Sequence, residues 1–301
     1  TLFAFVPHTH KLTYPHTSPR LAVKLQLSLI PNAYMKQEEG VMNVVAGIDA
    51  GSRTIKAVLY DATAGKMITQ GTRDQGLEQS ELASALLHEL MKRQHLTPAD
   101  LLYTVATGYG RNAIAQASET RTEISCHALG VRALMPDVRT VIDIGGQDSK
   151  LIRLDEKGRM TDFVMNDRCA AGTGRFLEVV AERLQLPLHE IGRIKGVTEA
   201  PVTISSMCVV FAETEIVSLM ASGIPAADIA AGVRKAIASR VVTMAGRSVA
   251  SPVALTGGVA LLEGMAETLA EVLGVAVTVP PHPRFTGALG AALLAAGKIR
   301  M

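Results

Sequence analysis

From residue 42 onward, short β-branched apolar runs alternate with segments whose apolar residues recur at helical spacing. Alternation of this kind is typical of α/β proteins. The predicted strands cover residues 44–48, 55–60, 141–144, 150–154, 253–256 and 275–279. The predicted helices cover residues 80–94, 175–184, 209–222, 226–248, 261–273 and 287–296. We therefore predict an α/β fold with two similar hairpins, each of which encloses a glycine-containing turn.

The two predicted hairpins are copies of one another. Residues 48–56 align without a gap on residues 142–150, at a constant offset of 94 residues, and the match continues to Asp61 and Asp155. Five of fourteen positions are identical, and the shared residues are Ile, Asp, Gly, Lys and Asp in that order. A repeat of this kind predicts two related domains.

Each copy has the composition of a phosphate-binding turn. Asp49 and Asp143 each end a strand, and small or polar residues follow. Glycine lets the backbone approach a phosphate closely, exposed amides favour anions, and carboxylates hold Mg²⁺ through water. The candidate phosphate contacts are Gly51, Ser52, Lys56, Gly145, Gly146 and Gln147. One such turn alone would more often be an ordinary β-turn, and Lys56 alone a solvated lysine, so the duplication is what favours a nucleotide clamp.

A third glycine element, Gly257-Gly258, follows the predicted strand at 253–256. With the hairpins it resembles the actin, Hsp70 and sugar-kinase superfamily: residues 47–61 and 141–155 are similar to its phosphate motifs, and residues 255–259 to its adenosine motif. Residues 285–291 resemble its second connecting helix. The resemblance implies two ribonuclease-H-like (actin-like ATPase) domains with ATP in the cleft between them, and places Gly257 and Gly258 beside the adenosine.

The domain boundaries follow from this assignment. We expect a first ATPase domain at residues 43–137, a second at 138–285, and a C-terminal helix at 286–301 that packs back on the first domain. The preceding segment is different, because residues 1–37 contain no Asp or Glu, four basic residues and four of the thirteen prolines. That composition does not build a core, so we expect a poorly ordered leader at residues 1–42.

The charge balance gives no reason to expect a nucleic-acid partner. The 301 residues include 30 Lys and Arg against 28 Asp and Glu, a net charge of +2. No apolar run reaches the ~18 residues that a membrane span needs. Three cysteines do not make a secreted disulfide framework and indicate a reducing compartment. We expect a soluble cytoplasmic protein that binds neither nucleic acid nor membrane.

Two of the cysteines precede predicted helices. Cys169 lies ahead of the helix at 175–184 and Cys208 ahead of that at 209–222, with Ser205 or Ser206 as the expected N-cap of the second helix. The positive end of a helix favours a thiolate, so both residues suit a metal or redox task. Inert buried thiols are commoner in proteins than thiols with such a task. A zinc site and a disulfide are both disfavoured here. A [4Fe–4S] cluster is a further option, and it would take two thiolates from each of two subunits. The residues alone leave these options open, and Cys126 has no assigned task.

Three longer sequence segments narrow the choice among these roles for the cysteines. Residues 143–150, 166–176 and 208–215 resemble the activator ATPases of (R)-2-hydroxyacyl-CoA dehydratases, of the BcrA/BadF/BzdA type, which are kin to the ATPase subunits of benzoyl-CoA reductase. The resemblance implies an ATP-hydrolysing homodimer in which Cys169 and Cys208 of both subunits hold one [4Fe–4S] cluster. It also implies delivery of a low-potential electron to an Fe–S dehydratase partner, with ferredoxin or flavodoxin as the reductant.

Within this hypothesis, Asp49 and Asp143 position Mg²⁺ and the attacking water, and at least one of Glu213 and Glu215 serves only surface solvation. Two other classes stay open. A small-metabolite kinase with Asp143 or Asp148 as its base would be colourless and would leave the cysteines unexplained. A chaperone-like or actin-like module would use nucleotide only to gate a partner surface. The sequence names no acyl-CoA substrate and does not choose between dehydratase activation and aromatic-ring reduction.

Overall fold

The computed structural model describes residues 42–167, 169–194, 202–205, 208–246 and 249–299. Except for Met42, the predicted leader at residues 1–42 lies outside these ranges. Within them, the chain forms two five-stranded sheets with helices packed on their faces.

The first sheet is built around a strand whose seven residues are all buried. Its strands are β1 (Val44–Ala50), β2 (Thr54–Asp61), β3 (Lys66–Asp74), β4 (Leu101–Thr107) and β5 (Glu119–Thr120), in the order β3-β2-β1-β4-β5. Helix α1 (Gln79–Arg93) lies between β3 and β4 in the sequence, and helix α2 (Glu123–Leu134) follows β5. Residues 44–48 of β1 form an apolar run because both faces of the strand are covered: Ile48 packs in the cluster with α1, and Val45 in the cluster with the C-terminal helix.

The second sheet has the order β10-β9-β6-β7-β8. Its strands are β6 (Thr140–Ile144), β7 (Ser149–Leu154), β8 (Met160–Asn166), β9 (Val253–Thr256) and β10 (Val277–Thr278). The helices that follow β8 are α3 (Gly174–Leu184), α4 (Leu188–Arg193), α5 (Val209–Ala221), α6 (Ala226–Ala245), α7 (Met265–Leu273) and α8 (Thr286–Ile299). The largest apolar cluster of the described residues lies between this sheet and helices α3 to α7.

The internal repeat is confirmed by the topology of the two sheets. The central strands β1 and β6 each have an antiparallel neighbour on one side and a parallel neighbour on the other. The register also repeats, because Asp49 lies opposite Lys56 in the first hairpin and Asp143 opposite Lys150 in the second. The predicted fold class, α/β with two related domains, is therefore correct.

The helices α2 and α8 cross in direct backbone contact. An added Cβ at Gly130 of α2 would lie 1.9 Å from the carbonyl oxygen of Thr286, and one at Gly290 of α8 would lie 1.8 Å from that of Cys126. No side chain fits at distances this short. Because α2 leads from the first sheet to the second, and α8 leads from the second sheet back onto β1, this crossing ties the two halves together.

Gly290→Ala is expected to destabilise the fold by about 1–3 kcal/mol, because its methyl group would overlap the α2 backbone. Gly297→Ala on the same helix is the matched control: no atom lies within 4 Å of its added Cβ, so the free energy of unfolding should stay equal or rise slightly. Urea denaturation of both variants measures the difference. Equal stability of the two would show that the crossing tolerates a side chain.

Three predicted elements are shorter in the structure. The helix predicted at 226–248 ends at Ala245, and the strand predicted at 275–279 pairs only over Val277–Thr278. The helix predicted at 261–273 divides into a 3-10 turn at Val259–Leu261 and α7, because Gly264 has a φ of +81° between them. None of the helices in the described ranges is both long enough and apolar enough to cross a membrane.

Candidate functional site

A cleft of ≈ 1060 Å³ opens between the two sheets, and both hairpin turns line it. All of the predicted nucleotide residues lie along its wall: Asp49, Gly51, Ser52, Lys56, Asp143, Gly145, Gly146, Gln147, Gly257 and Gly258. These residues come from three separate parts of the sequence, and the fold brings them together. The cleft is therefore the candidate nucleotide site.

On the first-sheet side of the cleft, Lys56 Nζ lies 3.3 Å from Asp49 Oδ2. An added Cβ at Gly51 would lie 2.8 Å from Lys56 Nζ, so glycine leaves room for the ammonium group. Asp49 Oδ1 is buried and has no hydrogen-bond partner among the described residues. Since buried polar atoms are usually paired, this oxygen has acceptor capacity left for a further ligand.

On the second-sheet side, Asp143 has three polar contacts. Thr256 Oγ1 donates a hydrogen bond of 2.7 Å to Asp143 Oδ1. His127 Nδ1 lies 3.4 Å from Oδ1, and Lys150 Nζ lies 3.6 Å from Oδ2. Burial alone would raise the pKa of this carboxyl, but the nearby His127 and Lys150 outweigh burial and hold the pKa below its usual range. Asp143 is therefore ionised at neutral pH.

Lys150 is a fully buried cation, with a side chain that is 0% exposed. Its Nζ lies 2.8 Å from Glu123 Oε1 and also contacts the carboxylate of Asp148. Burial alone would lower the pKa of Lys150, but the carboxylates of Asp143, Glu123 and Asp148 raise it above its ordinary value. Burial is also the main reason that the pKa of Asp148 is raised. Lys150 thus faces three carboxylates, and His127 contacts two of the same three.

Glu123 and His127 lie one turn apart on α2, and the sequence analysis did not single them out. The Thr122 side chain caps this helix by accepting a hydrogen bond from the Ser125 amide. His127 Nδ1 also lies 3.0 Å from the hydroxyl of Thr286, the first residue of α8. Burial alone would lower the pKa of His127, but neighbouring carboxylates raise it. The Thr-Glu helix start was the sequence signal that could have located this element.

Gly257 and Gly258 bring bare backbone to the wall of the cleft. Gly257 has a φ of +88°, and an added Cβ would lie 2.3 Å from the Ile144 carbonyl oxygen, so only glycine fits. No atom lies within 4 Å of an added Cβ at Gly258, whose missing side chain leaves open space. Glycine is thus required at position 257 by the backbone, whereas at position 258 it leaves space in the cleft.

The second hairpin turn is hydrogen-bonded to the start of α3. The amides of Gly174 and Arg175 donate to the carbonyl oxygens of Gly145 and Gly146, over 2.9 Å and 2.8 Å respectively. Two consecutive backbone hydrogen bonds fix the direction of the helix start relative to the turn. A movement of this turn is therefore also a movement of α3.

Cys169 lies shortly before α3 and is half-buried. It is the N-cap residue of a 3-10 turn, Ala170–Gly172, that leads into the helix. Asn166 Nδ2 donates to the Cys169 carbonyl oxygen over 2.9 Å, and Arg240 Nη2 lies 3.3 Å from Cys169 Sγ. The thiol is thus held beside a cation at the beginning of a helical segment.

Cys208 is exposed and is itself the N-cap residue of α5. The prediction of Ser205 as the N-cap is wrong, because its hydroxyl donates to Glu215 over 2.8 Å. Ser206 lies outside the described residues. Glu213 forms an ion pair with Arg183, so both glutamates make specific contacts and neither serves only solvation.

Residues 46–295 match the BadF/BadG/BcrA/BcrD ATPase family. The chain belongs to this family. The activator of lactoyl-CoA dehydratase from Anaerotignum propionicum is 44% identical over 254 residues, covering 83% of this chain and 96% of the relative. The (R)-2-hydroxyglutaryl-CoA dehydratase activating ATPase of Acidaminococcus fermentans is 41% identical, covering 83% and 95%. One of the benzoyl-CoA reductase subunits of Thauera aromatica is 33% identical, covering 84% and 93%.

Solved structures agree with this assignment. The activator of the 2-hydroxyisocaproyl-CoA dehydratase from Clostridium difficile, with bound ADPNP, matches with a TM-score of 0.80 at 38% identity, covering 85% of this chain and 96% of that one. MreB 5 of Spiroplasma citri, bound to AMPPNP, matches with a TM-score of 0.51 at 11% identity, covering 86% and 97%. The second likeness concerns the fold alone.

Cys126 of this BadF/BadG/BcrA/BcrD-family ATPase differs from the other two cysteines. It is fully buried, and burial raises the pKa of its thiol to about 11. A thiol of this kind is inert packing at neutral pH. Among the described residues, no group of three or more His, Cys, Asp and Glu side chains is arranged to hold a metal ion.

Proposed function

We propose that this chain is an ATP-hydrolysing activator that works as a homodimer, carries one [4Fe–4S] cluster between its subunits and delivers a low-potential electron to a 2-hydroxyacyl-CoA dehydratase. One observation carries the proposal: both phosphate-type turns face one cleft, and the second turn is hydrogen-bonded to the start of α3, directly after the Cys169 segment. The nucleotide cleft and a candidate cluster ligand therefore share one structural element. Such sharing suits a protein that couples hydrolysis to a change at a cysteine-bound group.

In this proposal ATP lies along the cleft. Its phosphates are held by the backbone and side chains of Gly51, Ser52, Gly145, Gly146 and Gln147, and its adenosine lies beside Gly257 and Gly258. Lys56 is the proposed phosphate contact of the first hairpin, and its ammonium group also lies 3.3 Å from Asp49 Oδ2.

Asp49 and Asp143 are the proposed positions for Mg²⁺ and the attacking water. The residues fit the ion, because Mg²⁺ prefers carboxylate oxygens and bound water, and Asp49 Oδ1 is buried with no protein partner in the described chain. When bound, Mg²⁺ supplies charge neutralisation for the phosphates. Asp143 is held ready in its ionised form by Thr256, His127 and Lys150.

Cys169 and Cys208 are the proposed cluster ligands. Each lies at the N-terminal end of a helical segment, and neither is deeply buried. A [4Fe–4S] cluster takes four thiolates, so two thiols from one chain fit a group that is shared by two identical subunits. When bound, such a cluster supplies one-electron redox chemistry.

The exposed surface beside Cys208 supports the proposal of a homodimer. The first turns of α5 expose Val210 by 66% and Phe211 by 69%, and Val217 further along is 50% exposed. Neighbouring apolar side chains on one exposed helix are a feature of interfaces. A homodimer that covers this face would bring two copies of Cys208 to a common region.

The partner assignment comes from relatives. Two of the relatives above, at 44% and 41% identity, are named as a dehydratase activator and a dehydratase activating ATPase. The benzoyl-CoA reductase relative is 33% identical, so ring reduction is the second candidate. Ferredoxin or flavodoxin as the reductant, and a cytoplasmic location, belong to the same proposal.

We also propose the domain division 43–137, 138–285 and 286–301. Contacts of α8 with the first sheet support the last boundary, since Ala288, Ala291 and Ala292 share a buried cluster with Val45 and Val58.

Anaerobic purification followed by iron analysis tests the proposal. Wild-type protein is expected to be brown, with about four irons per dimer, whereas Cys169→Ser and Cys208→Ser should each lose the colour and most of the iron. Cys126→Ala is the matched control and should keep both, because Cys126 is buried and inert. A colourless wild-type dimer that phosphorylates a sugar would support the kinase alternative instead.

A size series at Gly258 tests the adenosine position. Gly258→Leu is expected to weaken ATP binding about tenfold or more, because the added side chain would occupy open space on the cleft wall. Gly258→Ala should have a smaller effect, and neither substitution should lower the melting temperature. Calorimetric titration with Mg-ATP gives the affinities. Wild-type affinity in the leucine variant would remove the adenosine from this part of the cleft.

A further inference from the structure

The first hairpin turn also contacts α3, through a pair of side chains that the proposed function does not use. Arg53 Nε lies 3.3 Å from Glu178 Oε1. Arg53 belongs to the turn between β1 and β2 of the first sheet, and Glu178 lies on α3, which packs against the second sheet. This ion pair therefore crosses the mouth of the cleft.

The two turns are also in contact with each other at this point. An added Cβ at Gly146 would lie 2.7 Å from the Cβ of Arg53, so the Arg53 side chain packs over the second turn. Gly146 in turn accepts a hydrogen bond from the Arg175 amide at the start of α3. α3 is thus attached to one turn by side chains and to the other by backbone.

The connection continues from α3 to Cys169 without a flexible linker. Thr173 precedes the helix, and its amide and hydroxyl both donate to the Ala170 carbonyl oxygen, over 3.1 Å and 2.7 Å. Ala170 opens the 3-10 turn whose N-cap is Cys169. These bonds reach from α3 to Ala170, the residue next to Cys169, so a rotation of α3 is passed on to Cys169 through one peptide bond.

We infer that Arg53 and Glu178 are positioning residues that transmit closure of the cleft to the Cys169 segment through α3. The inference rests on the proposed function in one respect, namely that nucleotide binds in the cleft and draws the turns together. The pair is suited to signalling because it is weak: Arg53 is 56% and Glu178 29% exposed. An exposed ion pair of this kind changes an equilibrium by about two- to fivefold, enough to bias closure without holding the cleft shut.

Amide hydrogen exchange on the full-length protein, read from peptides that span residues 169–178, tests the inference. With a non-hydrolysable ATP analogue and Mg²⁺, wild type should protect this segment more than with ADP. In Arg53→Gln and Glu178→Gln, the difference in amide protection of this segment between the ATP-analogue state and the ADP state should fall by about half or more. The reversed pair, Arg53→Glu with Glu178→Arg, should restore most of it. The affinity for ADP should change less than about threefold in all of these variants, since a lost surface ion pair has a small effect.

Arg175→Gln is the matched control. Arg175 Nη1 also pairs with Glu178, at 3.0 Å, but from the same helix. Its loss leaves the contact across the cleft in place, so the nucleotide-dependent protection should stay at the wild-type level.

Each outcome has a distinct meaning. Wild-type protection differences in Arg53→Gln and Glu178→Gln overturn the inference, and so does a wild type that binds both nucleotides without any difference at residues 169–178. A loss of the same size in Arg175→Gln also overturns it, because the effect would then belong to the helix alone. Failure of wild type to bind either nucleotide in calorimetry would instead overturn the proposed function, and this inference with it.

Discussion

Asp49→Asn is expected to lower the rate of ATP hydrolysis about 10²- to 10³-fold while the protein stays folded. The substitution keeps the shape of the side chain and removes its charge, at a position where one carboxylate oxygen has no partner among the described residues. The Lys56 ammonium loses its counter-charge, but Lys56 is partly exposed and the associated loss of stability should be about 1 kcal/mol at most. Steady-state phosphate release, with thermal unfolding measured in parallel, separates the two effects.

Asp61→Asn provides the matched control for this experiment. Asp61 is the last residue of β2, at the end of the hairpin opposite to the turn. Its Oδ1 accepts hydrogen bonds from the amides of Thr63 and Ala64. Asparagine keeps an oxygen for these bonds, so hydrolysis should stay within about twofold of wild type. Hydrolysis at the wild-type rate in Asp49→Asn would exclude Asp49 from the metal and water site.

Lys150→Met is expected to cost about 3–5 kcal/mol of folding free energy at pH 7.5, because it removes the buried ammonium group that faces three acidic side chains, two of which also contact His127. Methionine fills a similar volume, so the loss reports charge and not a cavity. Glu123, Asp143 and Asp148 all face the Lys150 ammonium, and its side chain is fully buried. Urea denaturation gives the free energy of unfolding.

The internal repeat supplies the control. Lys56→Met removes the equivalent lysine of the first hairpin, whose side chain is 19% exposed and, within the described part of the chain, forms an ion pair only with Asp49. Its cost should be about 1 kcal/mol. Equal losses at the two positions would contradict a special role for the buried cluster around Lys150.

The pH dependence of Lys150→Met follows from the same charges. In wild type the pKa values of Glu123 and Asp143 are lowered, so their contribution to stability is present above their unfolded pKa values and lost as the pH falls through the folded ones. Without Lys150 those pKa values rise, and the folded state takes up protons more readily than the unfolded state. The stability gap between variant and wild type should therefore narrow as the pH falls from 8 to 5. A constant gap over this range would show that the lost stability is packing and not charge.

The two hairpins share the same Asp–Lys pairing but differ in the residues that surround it. Both place an Asp opposite a Lys, but Asp49 and Lys56 form a simple pair at the cleft, whereas Asp143 and Lys150 belong to a buried network that reaches α2. His127 in this network also contacts Thr286 at the start of α8. The second hairpin is therefore joined to the crossing helices by polar side chains, whereas the first hairpin contacts α8 by close backbone packing at Gly47.

Much of the fold follows from local patterns. The apolar runs of β1, β2, β6 and β7 and the helical spacing of α3 and α5 agree with the structure to within two residues at each end. The edge strand β3 is polar and largely unburied, and so lacks the alternation that marks a strand. The helix α2 mixes buried polar and apolar residues, so its apolar spacing does not reveal Glu123 and His127, and the Thr122-Glu123 start is the signal that marks it.

The fold class, the duplication and the glycine-containing turns that line the cleft were predictable from the sequence, because they depend on short motifs and on spacing along the chain. Glu123 and His127, which line the same cleft, were not predicted. The pairing of charged side chains was not predictable either, since it depends on the tertiary packing. Glu123 and Lys150 lie 2.8 Å apart although they belong to different elements, and Arg53 meets Glu178 across 125 residues of sequence. Contacts of that range depend on how two sheets and two crossing helices pack together. No periodicity in a single segment encodes that packing.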